Sequence, residues 1–110
     1  VYKKAQGLPF AGIKRRELIG KQGEECCFDL RYFEIEPGGY SSLEQHQHSH
    51  VIIGTRGQGD VLLAEKSYRL SEDDVIYIQP NTAHQLHNAG DQPFGFYCIV
   101  DRDRDQPRAI

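Results

Sequence analysis

Short apolar and β-branched segments alternate with clusters of turn residues along this whole chain. No stretch of ten residues shows a helical period, so a helical fold is not expected. Gly, Pro, Asn and Asp separate the apolar segments, and this punctuation predicts about eight short strands. The predicted strands are Lys14–Ile19, Cys26–Glu36, Leu43–Thr55, Val61–Glu65, Tyr68–Leu70, Val75–Gln79, His84–Asn88 and Phe94–Val100. Because open strand edges favour aggregation, we expect an all-β barrel or jelly roll.

Two segments carry more specific expectations. The sequence predicts a hairpin formed by Val61–Glu65 and Tyr68–Leu70, with its turn at Lys66-Ser67. The C-terminal segment Asp101–Ile110 alternates charges and contains a proline, which is typical of a solvated tail. Docking of this tail on a partner subunit is the alternative.

Composition narrows the function classes. A chain of 110 residues with 38% hydrophobic and 26% charged residues is expected to form one domain. The net charge of −3 argues against nucleic acid or an anionic membrane as partner, and no apolar run is long enough to span a bilayer. No apolar signal-peptide core follows the N-terminus, as expected of a cytoplasmic protein or a trimmed chain.

The three cysteines do not suggest a disulfide framework. Cys26 and Cys27 are adjacent, where a bridge would be strained, and Cys98 leaves an odd number. We expect all three to be small buried hydrophobic residues in a reducing compartment. Their spacing indicates no specific role.

Histidines at alternate positions are the strongest chemical signal. His46, His48 and His50 account for three of the five histidines in the chain. Imidazole is the commonest metal-donor side chain, and alternate residues of a strand share one face. This pattern predicts a metal site on a β scaffold, although a solvated histidine patch on the barrel exterior is the simpler alternative.

The surroundings of these histidines resemble the two signature motifs of the cupin superfamily. The first reads Gly38-x5-Glu44-x-His46-x3-His50-x6-Gly57, and Pro80-Asn81-Thr82-Ala83-His84-x3-Asn88 follows about twenty residues later. The resemblance covers roughly residues 28 to 100 and implies a double-stranded β-helix, or jelly-roll barrel.

This sequence departs from the family pattern at several positions. Glu44 stands where the first family histidine is expected, and His50 stands where the family has glutamate. A shifted frame that makes His46 and His48 the histidine pair needs a longer loop before them and a shorter one after them. In the second motif, Asp73 and Asn81 occupy the two glycine positions. Asparagine tolerates the left-handed backbone conformation better than most residues, so its substitution is the milder one.

The length of the histidine side chain limits which histidines can bind the same ion. A flat strand advances about 13 Å over four residues. Two imidazoles that bind one ion can span at most roughly 11 Å between their Cβ atoms. The three neighbouring histidines therefore cannot all bind one metal unless the chain bends. We expect the bend at Gln47–Ser49, with His48 turned away from the ligands. The expected ligands are His46, His50 and His84, with Glu44 as the fourth and His48 as its rival. The metal would be one divalent transition ion, namely Fe, Mn, Ni, Cu or Zn.

Other polar residues have simpler interpretations. His87 lies on the opposite strand face from His84, as a surface or packing residue would. Asn88 is expected to hydrogen-bond the turn after its strand. Arg31 and Arg56 could bind a carboxylate substrate, although solvation at the surface is the simpler interpretation.

The resemblance leaves two classes of function open. The first is an enzyme acting on a chelatable small molecule, with dioxygenase-type oxygen chemistry as the leading hypothesis and a Zn, Ni or Mn isomerase, decarboxylase or lyase as alternatives. The second is a non-catalytic ligand-binding or sensor cupin with a structural metal. No catalytic residue can be named from the sequence.

The resemblance also implies a domain organisation. A single cupin domain would span residues 1–110, with residues 1–25 as N-terminal arm and first strands and residues 101–110 as a charged C-terminal tail. Small cupins often form homodimers by exchanging an N-terminal strand, and Val1–Leu8 would suit that role.

Overall fold

The computed structural model describes residues 9–104 and the backbone of residues 108–109, and ten strands form in these ranges. The strands are β1 (Ala11–Ile19), β2 (Phe28–Tyr40), β3 (Glu44–Gln45), β4 (His50–Arg56), β5 (Gly59–Leu63), β6 (Lys66–Leu70), β7 (Val75–Ile78), β8 (His84–His87), β9 (Phe94–Asp101) and β10 (Arg108–Ala109). The described residues include no helix, and so none that is long and apolar enough to cross a membrane.

All strand pairs are antiparallel, and long-range pairing curls the sheet into a nearly closed barrel. The order is β10-β3-β8-β2-β9-β4-β7, while β1 pairs with β2 and β5 joins β6 and β8. The central strand β2 therefore touches β1, β8 and β9. The predicted all-β jelly-roll class is confirmed.

The core fills the barrel through the period-two alternation of its strands. Phe33 and Ile35 of β2 face inward with Phe94 and Phe96 of β9, and burying each such side chain contributes about 1.5–3 kcal/mol. Gly59 has no side chain because the ring of Phe94 occupies the space that a Cβ would need. The other buried apolar residues are Ile52, Val61, Leu70, Ile78, Leu86, Cys98 and Val100.

Two predicted elements differ in detail from the observed ones. The segment Leu43–Thr55 is not one strand, because β3 ends at Gln45 and β4 begins at His50, with a bend at Gln47 and His48. The β5–β6 hairpin turns at Ala64 and the residue after it rather than at Lys66-Ser67, and Leu63 pairs with Lys66. Ala64 has a φ of 53°, a left-handed conformation that is uncommon for alanine, so the sequence carries no local signal for this turn.

The C-terminal segment is not simply a solvated tail. Arg108 pairs with Gln45 and Ala109 with Glu44, so β10 adds to the strand that precedes the histidine cluster. Arg104 donates to the fully buried Asp29 at 2.7 Å, and Lys21 approaches the same carboxylate oxygen at 3.0 Å. The segment is therefore part of the fold at these points. Its residues 105–107 and 110, and the proposed exchange arm 1–8, lie outside the described residues.

The cysteine prediction is correct for one residue of three. Cys98 is buried and packs in the core. Cys27 is exposed, and Cys26 is half-buried with its thiol against the carbonyl of Phe28 at 3.2 Å. The vicinal pair precedes β2, outside the barrel interior, because β2 begins only at Phe28.

Candidate metal centre

Five polar side chains from β3, the following bend, β4 and β8 converge inside one end of the barrel. Glu44 lies on β3 and pairs with His84 of β8, so strand pairing alone brings these two together. His46 and His48 lie in the bend, and His50 begins β4. All five side chains are buried, which rules out the solvated histidine patch.

The bend brings the neighbouring histidines within reach of one another. The Nε2 atoms of His46 and His50 lie 2.7 Å apart, although a flat strand would hold their Cα atoms about 13 Å apart. The amide of Asn81 donates to the carbonyl of His46 at 2.7 Å and ties the bend to the second motif. His48 is not turned away at this bend. Its ring stacks on that of His46, with centroids 3.7 Å apart.

The donor atoms form two overlapping groups. His46, His48 and His50 offer one, while Glu44, His46 and His84 offer the other, and the donors of each group lie within 4.8 Å of one another. His46 belongs to both groups and is the common element. The structure thus brings together all five predicted candidates, and the choice between Glu44 and His48 stays a prediction.

Hydrogen bonds on the far side of two rings settle their tautomers. Nδ1 of His46 lies 2.8 Å from the carbonyl oxygen of His48, and Nδ1 of His84 lies 2.9 Å from that of Thr82. A carbonyl can only accept, so each Nδ1 carries the hydrogen and each Nε2 presents its lone pair to the cluster. Metal-binding histidines are usually oriented by such a bond.

Burial keeps the imidazoles neutral. Desolvation, with a smaller contribution from the neighbouring His84, lowers the pKa of His46 to about 4. Desolvation likewise lowers the pKa of His50 well below its ordinary value. Neutral imidazole is the form that binds metals, so these donors need not lose a proton at neutral pH.

Glu44 is also held in place. The Ser42 hydroxyl donates to Oε2 of Glu44 at 2.5 Å, which leaves Oε1 on the side of the histidines, 3.9 Å from Nε2 of His46. A carboxylate oriented in this way can serve as a metal ligand or accept a proton. Three or four imidazoles and one carboxylate form a donor set suited to Fe, Mn, Ni, Cu or Zn.

Two residues next to the cluster were not predicted there. Nδ1 of His50 lies 3.0 Å from Sγ of Cys98, and Nη2 of Arg31 lies 3.2 Å from the same sulfur. Burial raises the pKa of the Cys98 thiol despite the nearby Arg31 guanidinium. The expectation that Arg31 is solvated at the surface is wrong, since it shares the inward face of β2 with Phe33. Arg56 is exposed, as expected, and binds Glu34 at 3.0 Å.

The two residues that replace motif glycines keep the left-handed backbone conformation typical of glycine. Asp73 has a φ of 68° and Asn81 a φ of 61°, so both adopt the left-handed conformation for which glycine is the usual residue. Gly57, at the end of the first motif, has a φ of 63°. These three angles support the alignment of both motifs.

The remaining polar residues of the second motif have the expected structural roles. Asn88 accepts from the amide of Gly90 at 3.0 Å and donates to the carbonyl of Gln92 at 2.7 Å, which ties the turn after β8. His87 is half-buried, with Nε2 2.8 Å from the side-chain oxygen of Gln85. It lies outside both donor groups.

Comparisons with known proteins agree with this geometry. Residues 31–100 match the family model described as the cupin domain. The chain is 34% identical to 1-methylthio-D-xylulose 5-phosphate methylsulfurylase of Rhodospirillum rubrum, over 97% of this chain and 67% of that protein.

Solved structures show the same relationship. A cupin 2 domain-containing protein from Halorhodospira halophila is 44% identical with a TM-score of 0.86, covering 90% of this chain and 70% of that one. A cupin 2 conserved barrel domain protein from Rhodopseudomonas palustris is 34% identical with a TM-score of 0.88, covering 98% and 73%. With both motifs in place on a matching barrel, this chain belongs to the cupin family.

Proposed function

We propose that this protein is a metal-dependent enzyme that acts on a small α-hydroxy carbonyl compound of the ketose phosphate class. The observation that carries the proposal is the buried imidazole cluster, in which His46 and His84 have their lone pairs directed inward by backbone carbonyls. A relative that is 34% identical is named for a xylulose phosphate, a compound with adjacent carbonyl and hydroxyl oxygens.

The residues have distinct roles in this proposal. His46, His50 and His84 hold a divalent ion, and Glu44 is the fourth donor or the group that accepts a proton from the substrate. Such an ion, when bound, acts as a Lewis acid that polarises a carbonyl and makes the neighbouring C–H more acidic. Ser42 restrains Glu44 through its 2.5 Å hydrogen bond, so the proton acceptor is positioned before substrate arrives.

Dioxygenase-type chemistry is the second candidate. It is favoured by the predominance of imidazole among the donors, since the two donor groups found in the described residues contain four histidines and one carboxylate. Its substrates would be chelatable diketones or catechols. A binding protein with a structural metal is the outcome expected if neither reaction occurs.

Solvent exchange and oxygen uptake separate these possibilities. We expect untagged protein to carry about one transition ion per chain by elemental analysis, and to catalyse metal-dependent deuterium exchange at the carbon next to the carbonyl of a ketose phosphate in D₂O. His46→Ala and His84→Ala should lose both metal and exchange, while the matched control His87→Ala, outside both donor groups, should keep both.

The opposite results are equally informative. Oxygen consumption with a diketone or catechol, without exchange in the ketose phosphate, would favour the second candidate. Stoichiometric metal in His46→Ala would contradict the site, because His46 is shared by both donor groups.

A further inference from the structure

Arg31 is a buried cation in the barrel. The residue is 7% exposed, and among the described residues no other lysine or arginine is buried to this extent. Alternation along β2 places it on the inward face between Asp29 and Phe33, and its guanidinium lies 5.0 Å from the centroid of the Phe33 ring. Arginine stays protonated in proteins, so a full positive charge lies in the interior.

The described residues provide no counter-charge for this guanidinium. Within residues 9–104 the guanidinium donates to the sulfur of Cys98, and its buried Nε has no hydrogen-bond partner there. Asp29, the acidic residue on the same inward face of β2, is paired with Lys21 and Arg104 instead. Removing a charge from water without a partner is strongly unfavourable, and buried charges in proteins are generally paired, so this guanidinium calls for an anionic partner.

The position of Arg31 joins it to the histidine cluster. Cys98 pairs with Arg31 across β2 and β9, and its sulfur lies within hydrogen-bond distance of both Arg31 and His50. The guanidinium of Arg31 and the imidazole of His50 therefore contact the same thiol, which places the buried charge next to the donor cluster. Arg56 and Arg69 do not offer this arrangement, because both are exposed and bound to acidic residues.

We propose that Arg31 is the anion-binding residue of the site, and that it binds an oxyanion group, a phosphate or a carboxylate, of the molecule that the histidine cluster engages. This inference rests on the proposed function and narrows its substrates to anionic ones. The planar guanidinium suits such oxyanions because its donors can form two parallel hydrogen bonds. Arg31 is a binding residue in this scheme and takes no part in proton transfer.

The test is anion binding by metal-free protein, which separates Arg31 from the metal. Inorganic phosphate and acetate are titrated at constant ionic strength, followed by calorimetry and by the amide resonances of β2 and β9. We expect saturable binding of at least one of the two anions, and the anion that binds identifies the oxyanion. Charge-assisted hydrogen bonds of this kind correspond to about 10–100-fold in affinity, so Arg31→Met should weaken binding by that factor.

Two further variants sharpen the result. Arg31→Lys keeps the charge without the planar donors and should bind with intermediate affinity. Arg56→Met, an exposed arginine of the same type, should bind as the wild type does. Unchanged affinity in Arg31→Met would overturn the inference. If the Arg31 variants do not fold, the wild type decides: the inference is wrong if neither anion raises its melting temperature above that in chloride.

Different results would contradict the proposed metal enzyme and the assignment of Arg31. Wild-type protein that binds an oxyanion through Arg31 but holds no stoichiometric metal would contradict the metal enzyme and leave Arg31 as an anion site. Metal-loaded Arg31→Met that retains exchange and its Michaelis constant for ketose phosphate would contradict the Arg31 assignment alone.

Discussion

Nε2 of His46 and Nε2 of His50 lie 2.7 Å apart across a bend of only three intervening residues. The carbonyl of His48 fixes the hydrogen of His46 on Nδ1, so in the metal-free protein Nε2 of His50 donates to Nε2 of His46. A cation would replace this hydrogen bond and bind both Nε2 atoms once the hydrogen of His50 has moved to its Nδ1, which lies 3.0 Å from Sγ of Cys98. Variants of the residues around the His46–His50 pair therefore test the metal site directly.

The fourth ligand can be identified by comparing two variants. We expect Glu44→Gln to weaken metal affinity by about 10–100-fold, because it removes the carboxylate of the cluster and the negative charge that this carboxylate supplies. His48→Ala should have the smaller effect. Competition with a chromogenic chelator measures both affinities, and a larger loss in His48→Ala would make His48 the ligand.

The stability of the metal-free protein should depend on pH. The pKa of His46 is about 4 in the folded protein and about 6.5 in an unfolded chain, so between these values the unfolded state binds more protons. The free energy of unfolding should therefore rise from pH 4 to pH 6.5 and level off above it, with His46 contributing about 2 kcal/mol between pH 5 and pH 7.5. Urea denaturation in the presence of chelator measures this. If the free energy of unfolding of His46→Asn depended on pH as strongly as that of the wild type, other groups would be the cause.

The ion pair of the C-terminal segment should contribute to stability. Arg104 donates to Asp29, which is fully buried, so Arg104→Ala leaves this carboxylate with Lys21 as its remaining cation. We expect a loss of about 1–3 kcal/mol in the free energy of unfolding, less than the full cost of breaking a buried pair. Arg69→Ala, which breaks an exposed pair with Asp60, is the control and should cost under about 1 kcal/mol. Equal losses in the two variants would mean that the C-terminal pair is no more than a surface contact.

The left-handed residue of the second motif should tolerate only certain substitutions. Asn81 has a φ of 61°, and its amide holds the carbonyl of His46. Asn81→Gly should fold with little change, whereas Asn81→Val should lose about 1–2 kcal/mol because a β-branched side chain is strained there. Thermal unfolding compares the two, and metal affinity should fall in the valine variant as the bend loosens. A valine variant as stable as the glycine variant would contradict this account.

The site was only partly predictable, because some of its residues are close together in the sequence while others meet only through long-range strand pairing. His46, His50 and Glu44 follow from local spacing, and the bend that joins them follows from the reach of the side chains. The pairing of Glu44 with His84 depends on two strands that are forty residues apart in the chain. The turn at Ala64 was missed because alanine carries no signal for a left-handed conformation.

The sequence by itself determined the all-β class, the two motifs and the histidines as candidate donors, since turn chemistry and period-two alternation are local properties. Only the tertiary structure decided which face of each strand points inward. Arg31 and Cys98 became neighbours of His50 because β2, β9 and β4 pair side by side, although Arg31 and Cys98 are 67 residues apart in the chain. Side chains alternate with the same period of two on both faces of a strand. The closure of the sheet therefore decides which face becomes the interior of the barrel.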